Sequence, residues 1–289
     1  MKRLLIVGCG DIALRALPQL ARDYQVAGLV RSAGQAERIA ALGAQALTGD
    51  LDKPATLAPL AGIAELVLHL APPDDSGEHD QRSASLIAAL APRPPERLVY
   101  ISTSGVYGDC GGAWVDEDRP LAPQTARGAR RADAERALLA WGKQSGVAVT
   151  VLRVPGIYAA ERLPLSQLKR GAPVLCAEDD VYTNHIHADD LAAICAVALE
   201  RGAAGRIYNA SDDSEMKMGD YFDLAADRAG LARPPRITRA AAEAGAISPG
   251  LLSFMRESRR LVNTRMKDEL RVRLRYPSVY EGVPTVVAG

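Results

Sequence analysis

The chain carries no excess of charge, because 35 lysines and arginines stand against 35 aspartates and glutamates. That balance leaves no global basic field for nucleic acid or for an anionic membrane. No apolar run reaches the ~18–20 residues needed to cross a bilayer. Met1-Lys2-Arg3 followed by Leu4 to Val7 superficially resembles a signal peptide. Its apolar stretch stops at Gly8, too short for the hydrophobic region of one, so a soluble, cytoplasmic protein is expected. Cysteine is scarce: Cys9, Cys110, Cys176 and Cys195 form no Cys-x-x-Cys pair, which points to buried or incidental thiols. Also missing are a Gly-x-Ser-x-Gly elbow, a Walker loop, a His-Glu-x-x-His motif and any base-stacking pattern. His185 and His187 share a face of an extended stretch, but no third ligand accompanies them, so no metal is expected.

What remains is a chain of 289 residues, 48% hydrophobic, with ample material for a large core. Apolar runs over 2–7, 25–30, 44–47, 65–70, 97–102 and 147–154 alternate with helical patterns over 12–23, 37–42, 83–90 and 127–144. Continuous apolar strands separated by helices predict an α/β fold, a doubly wound parallel sheet covered on both faces. Pro18 falls inside the first helix and predicts a kink. Pro54 suits the first residue of a helix, with Asp52 as a candidate cap. After Val154 prolines punctuate the chain, and only 189–200 and 219–229 keep a helical pattern. Asp74, Asp75, Glu78, His79 and Asp80 read as a solvated loop, and the arginines from Arg256 to Arg275 as a solvated helix face.

Gly8-Cys9-Gly10-Asp11-Ile12-Ala13 follows a predicted strand and opens a predicted helix, the context in which a Gly-x-Gly-x-x-Gly/Ala fingerprint is informative. Gly8 permits the tight turn, Gly10 lets the backbone approach a pyrophosphate, and Ala13 lets the helix pack against the strand. The helix N-terminus then offers free N–H groups to phosphate. The second strand ends in Leu29-Val30-Arg31-Ser32, without the carboxylate that would bind the ribose hydroxyls of NAD. Arg31 can pair with a 2′-phosphate and Ser32 can add a hydrogen bond, so NADP is favoured over NAD.

Further segments resemble the extended short-chain dehydrogenase/reductase family, also called the NAD-dependent epimerase/dehydratase family. They are Thr48-Gly49-Asp50-Leu51, Leu68-His69-Leu70-Ala71 with Pro72, Ser102-Thr103-Ser104-Gly105-Val106-Tyr107-Gly108, Arg153-Val154-Pro155-Gly156-Ile157-Tyr158 and Ile186-His187-Ala188-Asp189-Asp190-Leu191. The resemblance implies that Asp50 and Leu51 lie near adenine, Leu70 to Pro72 against the cofactor, and Pro155 to Ile157 beside the nicotinamide. It implies a Rossmann domain over residues 1–155 and about 187–212, and a smaller substrate lobe from about 156–186 and 213–289. Homodimers packed through a helical face are common in that family.

The family's Tyr-x-x-x-Lys pair is replaced. Arg127 takes the tyrosine place and Arg131 the lysine place, while Thr103 matches the Ser/Thr that orients substrate. Arginine stays protonated and cannot cycle a proton; Arg131 can still hydrogen-bond a ribose or phosphate. Tyr107 and Tyr158 are alternative proton donors. Three readings stay open. The first is an NADP-dependent oxidoreductase, epimerase or dehydratase acting on a small molecule, with Arg127 binding an anionic substrate or stabilising developing negative charge. The second is a non-catalytic NADP(H)-binding sensor, and the third a structural module.

Overall fold

In the computed structural model, which describes residues 1–285, the apolar runs become parallel strands. They are β1 (Arg3–Val7), β2 (Gln25–Val30), β3 (Gln45–Thr48), β4 (Leu66–His69) and β5 (Arg97–Thr103), followed by Ala148–Val154 and Arg206–Asn209. Seven strands form one sheet in the order β3-β2-β1-β4-β5, then Ala148–Val154, then Arg206–Asn209. The order departs from β1 in both directions, so the chain reverses its winding between β1 and β4. A crevice opens there outside the carboxyl ends of the strands.

Alternation along β1 shows why its apolar run is unbroken. Leu4 and Ile6 pack on one face against Ile12 and Leu17 of α1 (Asp11–Asp23) and Leu191 of the helix Ala188–Arg201. Leu5 and Val7 pack on the other against Leu86 of α3 (Gln81–Leu90) and Leu138 of α4 (Ala126–Ser145). A strand buried on both sides has no polar face to show. Helix α1 runs from Asp11 to Asp23 through Pro18, and Ala13, Ala16, Leu17 and Leu20 tie it to the sheet.

Two helices start earlier than the sequence pattern suggests, and one that starts as expected at Pro54 lacks its expected cap, each for a local reason. Helix α2 spans Ala33–Ala40 rather than beginning near residue 37, because the Ser32 hydroxyl caps it by accepting from the Gln35 N–H. Asp52 caps nothing: the 3₁₀ turn Pro54–Leu60 has no side-chain cap, and the Asp52 carboxylate pairs with Arg82 through two bonds of 2.7 Å. That pairing holds it below the usual carboxylate range. Asp80 is buried and caps α3 through the Arg82 and Ser83 N–H groups, so the polar loop before it is anchored at its end rather than wholly solvated.

Beyond Val154 the chain returns to the sheet through Arg206–Asn209 and builds a separate apolar cluster that includes Leu168, Val174, Phe222, Leu252 and Val279. The arginines from 256 to 275 do not share a helix. They pass through the strand Arg260–Leu261 and the helix Thr264–Leu270, and Arg259 is buried. Cys9 and Cys195 are buried, whereas Cys110 and Cys176 are partly exposed; all four are free thiols. Residues 286–289 of the expected small lobe lie outside the described residues. Within residues 1–285 no helix is long and apolar enough to cross a membrane.

Candidate functional site

The crevice at the β1/β4 divide is a cleft of about 390 Å³. Its floor is made where β1 stops. Gly8 adopts φ +97°, and a Cβ there would lie 2.4 Å from the Ala71 nitrogen. Leu70 and Ala71 both donate their N–H groups to the Val7 carbonyl, at 2.7 and 3.0 Å, which locks the two strand ends together. Only glycine satisfies both the dihedral and the contact. Gly10 caps α1, and a Cβ at that position would meet nothing within 4 Å, so its open side faces the cleft. Asp11 and Ile12 continue the rim, and Ala13 is fully buried against the sheet.

At one end of this cleft stand Arg31, Asp50 and Leu51. The Arg31 backbone N–H donates to Gln35 Oε1 at 3.1 Å. Its exposed guanidinium makes no hydrogen bond or ion pair among the described residues. Ser32 does not line the cleft, because its hydroxyl faces its own helix. Leu70, Ala71, Pro72 and Ile157 form the far wall, with Arg131 between them. Arg131 spends a single nitrogen on the protein: Nη1 donates to the Ile101 carbonyl at 2.6 Å and to the Tyr100 hydroxyl at 3.0 Å. Nε and Nη2 keep no protein partner among the described residues.

A second cleft of about 310 Å³ adjoins the first, and Ile101, Arg131 and Ile157 line both. Thr103, Pro155 and Gly156 line the second one from the strand ends, and Arg127 from the start of α4. Thr103 ends β5, and its Oγ1 accepts from the Gly105 N–H at 3.2 Å. Arg127 sits in the first turn of α4, capped by Thr125. Its guanidinium lies 4.6 Å from the centre of the Phe254 ring. The surrounding walls lower its pKa, aided by Arg131 and Arg130 and opposed by Glu257, but an arginine remains cationic there.

Sequence reasoning missed Glu257. Its side chain is about nine-tenths buried, Oε2 accepts from Arg259 Nη1 at 2.9 Å, and Oε1 has no partner. A Cβ placed on Gly105 would lie 3.6 Å from Thr103 Oγ1 and 3.9 Å from Glu257 Oε2, so both oxygens border the same point. Glu257 thus brings a carboxylate to the side of the cleft where the family motif would have put a tyrosine. In the sequence it is one of three acids, with Asp268 and Glu269, among the arginines of 256–275.

The two alternative tyrosines face away. Tyr107 is buried, donates to Asn209 Oδ1 at 2.7 Å and accepts from Arg153 Nη1 at 2.9 Å. Burial pushes its hydroxyl up to about 12. Tyr158 is equally buried, donates to the Ser278 carbonyl at 3.2 Å, and is raised further by burial and by Asp212. Neither lines either of the two clefts described above. His187 accepts from the Asp189 N–H and caps its helix, and His185 stacks on Tyr221. Among the described residues no group of three metal-binding side chains assembles.

Residues 9–211 match the NAD dependent epimerase/dehydratase family. The 4-hydroxy-2-methyl-3-oxo-4-farnesyl-3,4-dihydroquinoline-1-oxide ketoreductase of Stigmatella aurantiaca is 27% identical over 267 residues, 85% of this chain and 80% of its own. The dTDP-glucose 4,6-dehydratase of Streptomyces niveus is 31% identical over 129 residues, 42% of this chain and 38% of its own. Among solved structures, a conserved protein of unknown function from Silicibacter pomeroyi DSS superposes with a TM-score of 0.80 at 31% identity, over 98% of this chain and 96% of its own. The dTDP-glucose 4,6-dehydratase of Bacillus anthracis, in complex with NAD, superposes with a TM-score of 0.77 at 18% identity, over 98% of this chain and 94% of its own.

Proposed function

The chain belongs to the NAD-dependent epimerase/dehydratase family, and from that premise we propose that it is an NADP(H)-dependent oxidoreductase acting on a carbonyl or alcohol in the second cleft. The observation that carries this reading is the meeting of the two clefts at Arg131. A dinucleotide seated over the Gly8–Gly10 turn would place its nicotinamide end against Ile157, beside Thr103, Arg127 and Glu257. Arg31 favours NADP: its guanidinium is unengaged at the rim, and no carboxylate at the end of β2 repels a 2′-phosphate. The ketoreductase relative supports carbonyl reduction as the direction.

The bound nicotinamide would supply or accept the hydride. Thr103 Oγ1 already accepts from Gly105 N–H, which leaves its own hydrogen free to bond the substrate oxygen. Arg127 holds a fixed positive charge against negative charge developing on that oxygen. Glu257 handles the proton. As a carboxyl it would give a proton to the substrate oxygen in reduction, and as a carboxylate it would take the hydroxyl proton in oxidation. A binding-only sensor is the second reading, favoured by the arginines at the tyrosine and lysine places.

Calorimetric titration tests the cofactor assignment. NADPH is expected to bind at least tenfold more tightly than NADH, and Arg31→Asp to reverse the order; equal affinities would remove the role of Arg31. A panel of ketones followed at the NADPH absorbance band tests catalysis, and turnover lost in Thr103→Ala would exclude the sensor reading.

A further inference from the structure

Above the Gly8–Gly10 turn the cleft is crossed by an ion pair that none of the roles above uses. Arg162 lines the cleft, and its Nε donates to Asp11 Oδ2 at 2.9 Å. We propose that Arg162 is a ligand for the cofactor's diphosphate, held in reserve by Asp11 until the dinucleotide displaces that carboxylate. The inference rests on reading the cleft as a dinucleotide site.

Charge makes the first case. Three carboxylates, Asp11, Glu161 and Asp189, gather with two guanidiniums, Arg15 and Arg162, at the start of α1. The cluster carries a net negative charge where a diphosphate has to sit. Arg15 is committed to all three carboxylates, at 3.0 Å from Nε to Asp11 Oδ1 and through its Nη groups to Asp189 and Glu161. Arg162 has Asp11 alone. When Arg162 turns away, Asp11 keeps Arg15, so no charge is stranded.

The second case is the relative strength of the bonds. Side chains of Arg162 and Asp11 are each about one-third exposed, and ion pairs in such settings are weakly held. A guanidinium meeting a phosphate forms two parallel charge-assisted bonds. The exchange therefore runs toward the phosphate.

Anchoring makes the third. Arg162 closes the short turn Ala160–Arg162. Ala159 before it is buried in the apolar cluster that also holds Ile12 and Ala13, and Leu163 after it is buried in the cluster of the second half. The backbone is pinned on both sides, so the exchange is a side-chain rotation, and Arg162 stays within reach of the turn throughout.

Titrations of the full-length protein with NADH, NADPH, ADP-ribose and adenosine 2′-monophosphate test the proposal, with thermal melts to check that each variant is folded. Arg162→Gln is expected to weaken the three diphosphate ligands about tenfold and to leave adenosine 2′-monophosphate unchanged. Arg162→Lys should recover part of the loss. Asp11→Asn, which frees Arg162, should tighten the same three ligands several-fold, and this arm stands even if Arg162→Gln misfolds. Unchanged affinity of Arg162→Gln for the diphosphates, or an equal loss for all four ligands, would overturn the proposal while leaving the dinucleotide reading intact. A wild-type protein that binds none of NADH, NADPH and ADP-ribose would overturn both.

Discussion

Arg153 and Glu135 meet inside the protein, Nη2 to Oε2 at 2.8 Å, with 3% and 2% of their side chains exposed. Ser102 donates to the same carboxylate, and Arg153 also donates to the Tyr107 hydroxyl and the Glu117 carbonyl. This pair joins α4 to the strand Ala148–Val154 beneath the second cleft. Removing one partner strands a charge with no route to water. Glu135→Gln is expected to cost about 3–5 kcal/mol, read from the shift in urea midpoint at constant slope. A loss below about 1 kcal/mol would mean that the network relaxes and Arg153 finds solvent.

Tyr107→Phe separates a structural hydroxyl from a chemical one. The variant loses the bonds to Asn209 and Arg153 and should be destabilised by about 1–3 kcal/mol, with kcat unchanged in the ketone-reduction assay. A fall in kcat of about 10²-fold or more, with stability intact, would return Tyr107 to the reacting centre.

Glu257→Gln makes the opposite prediction. The amide keeps the shape and gives up the proton. The expected result is a drop in kcat of about 10²–10⁴-fold with KM little altered. Equal kcat in the two proteins would remove Glu257 from proton transfer.

Asp212 predicts a pH dependence of stability. Burial, with Asp213 and Asp190 nearby, raises its pKa from 3.8 to about 7, against the Ser214 contacts that lower it. Its Oδ2 has no partner. The folded-state value lies above the unfolded one, so the native protein holds a proton that the unfolded chain has released. Stability from this group is full below the ordinary aspartate range, falls as pH rises from about 4 to about 7, and is level above that. Asp212→Asn should flatten the decline and raise Tm at pH 8. A variant with the same slope as the wild type would place the pH sensitivity elsewhere.

How much of this was legible in the residues depends on how local each cause is. The turn at Gly8 was readable because one dihedral, one close approach and one helix start fall within six consecutive positions. The sheet was readable because strands buried on both faces leave uninterrupted apolar runs. Ser32 shows the limit of that logic: the same hydroxyl satisfies a helix cap and a phosphate-site pattern, and only the placement of Gln35 separates them. Asp52 fails likewise, since its partner Arg82 lies thirty positions away. Glu257 was invisible because its meaning comes from packing against Gly105 across the chain, in a stretch whose irregular backbone follows no period. Tyr107 and Tyr158 were plausible donors until burial turned both hydroxyls inward.

Arg131 belongs to the wall of both clefts through a single side chain, with one nitrogen already committed to Ile101 and Tyr100. An occupant of one cleft that bonded Nε or Nη2 would change how the guanidinium is presented to the other cleft. Thermodynamic reciprocity then requires that the first guest change the hold on the second by the same factor as the second changes the hold on the first. Were both spaces filled at once, their occupancies would be linked through this one side chain.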